Sequence, residues 1–131
     1  MTFAWTDFLD LAKNIPKTTE ANLRTAISRS YYALFCSARD RLKQSKIEVS
    51  STGDSHIEVP NLYKLSTDYD SLKIAETLAR LRILRNNADY DLVFNGDPAV
   101  ATNAAITRAE KAIVMVHNFP ERIIEEIKQK I

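Results

Sequence analysis

The segment LRTAISRSYYALFCSARDRL, residues Leu23–Leu42, decides the fold. Leu23, Ala26, Ile27, Tyr31, Leu34, Phe35, Ala38 and Leu42 recur at three- and four-residue steps, the period of one helix face. Ser30 falls on the same stripe and is small enough to let a neighbour approach. The stripe predicts a long helix over about 19 to 45 that forms the spine of the protein. Thr18 or Thr19 supplies its N-cap, and Glu20 stands near the positive end of its dipole. A second, weaker stripe of Ser28, Tyr32, Cys36, Arg39 and Lys43 lies about 100° around the cylinder. A helix wrapped by its own bundle would carry two such stripes, and so would one that also meets a partner chain.

The pattern continues on both sides of the spine. Trp5, Phe8, Leu11 or Ala12, and Ile15 predict a short amphipathic helix, which Pro16 ends because the residue before a proline avoids the α region. KIEVSSTGDS, residues 46 to 55, reads as an exposed loop. His56 to Thr67 carries Ile57, Val59, Leu62, Tyr63 and Leu65 around Pro60, a short or broken helix. Asp68 or Asp70 caps a third helix over about 71 to 87. Asn95-Gly96 is a turn signal, and Asp97-Pro98 combines a capping carboxylate with proline at the first helical position. The fourth helix that follows buries Ala101, Ala104, Ala105, Ala109, Ala112, Ile113 and Val116, a face narrow enough for close packing. Pro120 restarts or kinks the chain, and Ile123, Ile124, Ile127 and Ile131 make a last apolar edge. Four or five helices with no strand pattern and no internal repeat predict an all-α, up-and-down four-helix bundle with a short additional helix.

Composition agrees with that architecture and excludes others. At 131 residues the chain fits one domain, residues 1–131, and 45% apolar with 27% charged residues can bury a core. Two glycines and four prolines are too few for a turn-rich sandwich or barrel. Eighteen Lys plus Arg against 17 Asp plus Glu leave a net charge of +1, so any binding to nucleic acid needs a local patch. Cys36 stands alone, which rules out an intramolecular disulfide and a cysteine zinc site, and in a helix interior it packs as a small hydrophobe. His56 and His117 are far apart in sequence, so neither a metal centre nor a cofactor is expected. MTFAWTDFLD is no signal segment, and the longest apolar run, AIVMV (Ala112 to Val116), is far short of the roughly 20 residues a membrane span needs. The expectation is a soluble protein of a reducing cytoplasm, without a membrane.

Most catalytic signatures are missing: there is no Gly-rich phosphate loop, HExxH, GxSxG or CxxC. LARLRILRNNADYD, residues 78 to 91, stands out. Ile74, Leu78 and Leu81 lie within about 40° of Arg85 at 100° per residue, so a guanidinium projects from an apolar stripe. Such a group cannot shed its proton and needs partners. Asp89, four residues on, offers an Arg85–Asp89 pair that would end the helix with Asn87 as C-cap. Alternatively Arg85 holds a phosphate, with Asn86, Asn87 and Tyr90 as neighbouring polar groups. Arg24, Arg29, Arg39, Arg41, Lys43 and Lys46 are spread around the spine, where those near its end complement the dipole. Tyr31 and Tyr32 read as core or interface side chains. His56 reads as a helix-start residue and His117 as a surface or packed one, neither with an acid or cysteine partner at catalytic spacing.

Two segments together resemble the HEPN superfamily of small prokaryotic helical domains: SRSYYALFCSARDRL (Ser28 to Leu42) and LRNNADYD (Leu84 to Asp91). The likeness is to the branch whose signatures are YYAxF and RNxADY. It implies a helical bundle, a homodimer that brings two Arg-bearing helices together, and in many members a metal-independent ribonuclease of toxin–antitoxin or defence systems. Other members accompany a minimal nucleotidyltransferase as antitoxin or partner. The family's catalytic motif is Arg, often Asn, then four to six positions, then His. Arg85 and Asn86 match its first half, whereas the histidine position falls on Tyr90, and no histidine occurs between His56 and His117. Tyrosine, with a pKa near 10, is a poor base at neutral pH.

By this resemblance Arg85 binds the scissile phosphate, Asn86 lines a cleft at the dimer interface, Asp89 and Tyr90 support them, and Arg29 or Arg24 extends the anion track. The alternative is a non-catalytic subunit that binds nucleotide or RNA or docks a nucleotidyltransferase. A purely structural interaction bundle is a third reading.

Overall fold

The computed structural model describes residues 2–131. Among them lie six α-helices and no strand: α1 (Thr6–Asn14), α2 (Glu20–Gln44), α3 (Ser55–Tyr63), α4 (Tyr69–Tyr90), α5 (Pro98–His117) and α6 (Glu121–Lys130). The protein is all-α. The count exceeds the four or five expected because Pro60 does not break α3, and Pro120 restarts the chain as a separate α6.

Capping chemistry explains where the long helices begin. Thr19 Oγ1 accepts from the Asn22 amide at 3.2 Å, and Asp68 accepts from Asp70 at 3.0 Å and Ser71 at 3.2 Å. Asp97 accepts from Ala99 at 2.9 Å, with Pro98 opening α5. Each such cap satisfies an otherwise orphaned amide and contributes about 1 kcal/mol. Gly96 takes φ +100° in the turn that precedes α5, the left-handed region closed to most side chains.

Contacts between helix ends give the topology. Arg24 near the start of α2 reaches the end of α4, so these two run antiparallel. Thr102 near the start of α5 donates to Leu23 O, and Arg41 near the end of α2 reaches Phe119 just past α5, so α2 and α5 run parallel. Trp5 before α1 donates to Asp40 toward the end of α2 at 2.6 Å, which sets α1 antiparallel to α2. The four main helices therefore alternate in direction, and α5 packs most extensively on α2. Both helices carry small buried residues at helical spacing: Ala26, Ser30, Ala33 and Ser37 on α2, and Ala105, Ala109 and Ala112 on α5. Side chains of that size permit a close interaxial approach.

The core runs through Ile27, Tyr31, Leu34, Leu42, Ile74, Leu78, Leu81, Ile124 and Ile127, all almost fully buried. Burying each large aliphatic side chain contributes about 1.5–3 kcal/mol. Much of the second stripe of α2 is accounted for within the chain: Ser28 donates to Asp89 on α4, and Tyr32 meets the His56 ring of α3 edge-on. Arg39 lies over the Trp5 ring at 5.3 Å and Arg29 over the Phe8 ring at 4.7 Å. The segment 46 to 55 is less exposed than its polarity suggests: Ile47 is buried, and its amide bonds to Leu42 O after Lys46 turns the chain at φ 68°.

Candidate functional site

Three helices converge on Arg85. α2 presents Tyr31 and Tyr32 in its third turn, α3 presents His56 at its start, and α4 presents Arg82, Arg85 and, at its last residue, Tyr90. The periodicity that aligns Arg85 with Ile74, Leu78 and Leu81 does turn it inward, and the residue is only 6% exposed. Its guanidinium carbon lies 5.2 Å from the Tyr31 ring centre, 5.4 Å from Tyr32 and 5.7 Å from Tyr90. Aromatic faces around one cation stabilise it by about 1–2 kcal/mol in all.

The expected Arg85–Asp89 pair does not form. Asp89 instead accepts from Ser28 Oγ at 3.0 Å, and the Ser28 hydroxyl also accepts from Arg29 at 3.4 Å. Arg85 donates to the Tyr90 hydroxyl at 3.3 Å, and among the described residues its buried Nε and the buried Arg82 Nε have no partner. Among the described residues, no carboxylate forms a salt bridge with Arg29, Arg82 or Arg85. The helix also ends later than 87. Asp91 is the C-cap, and the Asn87 side chain spans from Asp91 at 2.8 Å to the Asn95 amide at 3.0 Å, tying down the following turn.

Tyr31 Oη and His56 Nδ1 are 2.5 Å apart. The imidazole stacks on Phe35 with ring centres 4.3 Å apart and meets both tyrosine rings. Burial raises the Tyr31 hydroxyl above its ordinary value, and the nearby Arg85 and Arg82 only partly oppose that, so the phenol stays protonated. His56 is pushed the other way. Burial first, then the positive charges of Arg85, Arg82 and Arg39, lower it from its usual 6.5, so the ring is neutral at pH 7.

The other anticipated residues lie outside this cluster or at its edge. Arg24 is engaged by the end of α4, donating to Ala88 O, Asp91 O and Leu92 O, pairing with Glu20 and lying over Phe94. That makes it a clamp for the α4–α5 turn rather than an anion track. Arg29 is half-buried between Phe8 and Tyr32, beside Ser28. Asn86 is exposed on the outer face of α4. Two concavities, of about 940 and 560 Å³, lie elsewhere, one beside Ile47 and Leu62, the other beside Trp5 and Asp40.

Comparison with known proteins leaves this geometry as the main guide. No protein-family model and no solved structure matches the chain. It is 31% identical over 105 residues to an uncharacterized protein of Methanocaldococcus jannaschii. That similarity covers 66% of this chain and 59% of the archaeal protein's length.

His56, Tyr31 and Arg82 are the members that sequence reasoning did not place at the site. The one available signal was His56 at a helix start. Its partner is 25 residues away in sequence, across a loop. Among the described residues no helix is long and apolar enough to cross a membrane, and no group of three or more His, Cys, Asp or Glu is placed to hold a metal ion.

Proposed function

We propose that this is a HEPN-like, RNA-directed protein of a prokaryotic toxin–antitoxin or defence system, in which Arg85 binds an RNA phosphate. The observation that carries this reading is a buried guanidinium that, among the described residues, has no carboxylate partner and one nitrogen without any partner. Burying an uncompensated cation costs several kcal/mol, and an anion from outside would offset that cost. Planar, forked arginine suits a phosphate's two oxygens. Tyr90, highly exposed, and Tyr32, half-buried, offer ring faces on which unstacked bases could rest, a common mode of single-stranded RNA recognition.

The proposal includes a homodimer. Leu72, Glu76, Ala79, Ile83 and Asn86 are all exposed on α4 at alternating steps of four and three, the repeat of a helix-pairing seam. Pairing two copies along this stripe would place Asn86 in the seam and bring two Arg85 sites together. Cys36, an unpaired buried thiol, is compatible with a cytoplasmic setting. The second reading, a non-catalytic subunit that holds RNA or nucleotide or docks a minimal nucleotidyltransferase, is favoured by tyrosine at position 90.

Purified protein incubated with mixed RNA in chelator decides between them. Fragments ending in 2′,3′-cyclic phosphate that vanish in a folded Arg85→Ala variant support the ribonuclease. Binding that depends on Arg85 without cleavage supports the second reading. Unchanged binding and cleavage in Arg85→Ala would refute both.

A further inference from the structure

We infer that His56 is the proton-transferring group of the Arg85 site and that Tyr31 is the positioning residue that orients its imidazole. The inference rests on the proposed reading of Arg85 as a phosphate-binding residue in RNA cleavage. It replaces the histidine missing from the Leu84–Asp91 segment with one delivered by a different helix.

Three features of the geometry carry it. His56 and Arg85 lie against the same two rings, Tyr31 and Tyr32, so one pair of aromatic side chains positions both the imidazole and the guanidinium. The ring of His56 is held on both sides of its freedom: Phe35 stacks on its face, and Tyr31 Oη fixes Nδ1 at 2.5 Å. Among the described residues its other nitrogen, Nε2, has no hydrogen-bond partner, and the residue keeps partial exposure. A hydroxyl has two lone pairs and one hydrogen. Tyr31 can donate to Nδ1 or accept from Nδ1–H; the proposed base role takes the second arrangement, in which Nε2 carries the lone pair.

The proton balance closes with groups already present. Nε2 takes the proton of a ribose 2′-OH as the 2′-oxygen bonds to phosphorus. The bond from phosphorus to the 5′-oxygen breaks, its electron pair stays on that oxygen, and the imidazolium returns the proton there. The products are a 2′,3′-cyclic phosphate and a 5′-OH, with no net proton or electron gained. Arg85 faces the negative charge that builds on the phosphate oxygens.

Charge around the ring favours this cycle. The charged or titratable groups near His56 are Tyr31, Tyr32 and Arg39 of α2 and Arg82 and Arg85 of α4. In the empty site the arginines keep the imidazole neutral and ready to accept a proton. A bound phosphate neutralises part of their field, so the affinity of His56 for a proton rises when the substrate is in place.

The test uses the full chain, a short single-stranded RNA, and its 2′-deoxy counterpart, which binds and cannot be cleaved by this route. His56→Gln is expected to leave binding of the 2′-deoxy oligonucleotide unchanged and to slow formation of cyclic-phosphate ends by about 10²–10⁴-fold. Tyr31→Phe keeps the stacked ring and removes the oxygen. It is expected to slow cleavage by roughly tenfold, the equivalent of one hydrogen bond, and to move the acid limb of the pH–rate profile. Nuclear magnetic resonance of the imidazole nitrogens adds a readout independent of turnover: His56 should titrate below 6.5 in the free protein and higher when saturated with the 2′-deoxy oligonucleotide. If His56→Gln unfolds, Tyr31→Phe and the titration decide. Cleavage at the parental rate in His56→Gln, no cyclic-phosphate ends from the parent protein, or an unmoved titration each overturns the assignment of His56. Retained oligonucleotide binding in Arg85→Met overturns the reading of Arg85 itself.

Discussion

Replacing Arg85 with methionine separates a structural arginine from one kept for a ligand, because the two roles predict opposite signs. Methionine retains an unbranched stem of similar reach and removes the charge. The variant loses the long 3.3 Å hydrogen bond to Tyr90, worth about 0.5–1 kcal/mol, and the contacts with three aromatic rings, about 1–2 kcal/mol together. It also removes a desolvated cation with no carboxylate beside it, together with the buried Nε that has no partner. Leaving such a nitrogen unsatisfied costs about 1–3 kcal/mol, and the charge itself adds more. The balance is a gain of about 1 kcal/mol, or roughly 3–5 °C in melting temperature for a chain of this length. Were the arginine a structural ion-pair member, its removal would instead cost about 3–5 kcal/mol. Thermal melts followed by circular dichroism read the sign directly. Repeating them with a 2′-deoxy oligonucleotide at about 100 times its Kd should stabilise the parent by about 2.7 kcal/mol and leave Arg85→Met unmoved. A variant that melts many degrees lower, or that gains as much from the oligonucleotide as the parent, refutes the reasoning.

Other perturbations test the frame around the site. Arg24→Ala removes a clamp on three carbonyls at the end of α4 and should lower stability by about 2 kcal/mol in melts, while oligonucleotide binding well below the melting temperature is unchanged. Gly96→Ala meets no atom within 4 Å, so its cost, about 1–2 kcal/mol in the same melts, comes from the positive φ alone. Glu126 is held below its usual 4.5, first by the Thr67 amide and then by Lys130. Its carboxylate therefore stabilises the fold above that value and ceases to as pH falls through its lowered pKa; the melting temperature of Glu126→Gln should vary less over that acid range than the parent's. Ile83→Glu places a charge in the exposed α4 stripe and should convert a dimer to a monomer in light scattering; a parent that is itself monomeric at high concentration removes the dimer from the proposal.

The helices were legible because their information is local. Thr19, Asp68 and Asp97 act within three residues of themselves, and the apolar stripe of α2 repeats for six turns, so periodicity and capping name these elements without a partner. Errors fall where tertiary contact overrides local chemistry. Local chemistry makes Pro60 a possible break, yet α3 continues through it because Val59 and Tyr63 are fully buried and Tyr63 donates to Ala38 O at 2.8 Å. Local signals end α4 at about Asn87, whereas the helix runs on to Tyr90. The side chains that hold the last turn in place, Arg24 and Ser28, come from α2 and have no local signature.

The candidate site divides along the same line. That Arg85 points inward follows from its own helix, since residues 74, 78, 81 and 85 share a face. Whom it meets does not. Helical spacing puts Asp89 within about 40° of Arg85, which makes a pair geometrically available. Crossing α2 at this point, however, sets Ser28 against the carboxylate and two tyrosine rings against the guanidinium. A YY dipeptide reads alike whether its rings fill a core or wall a crevice. Here one ring is buried and its hydroxyl meets an imidazole from beyond a loop. Chemistry of this kind is defined by atoms within hydrogen-bond reach rather than by order along the chain. Tyrosine at position 90 therefore removes a histidine from one segment without settling whether an imidazole can act beside Arg85, and His56 is where that question is put to the molecule.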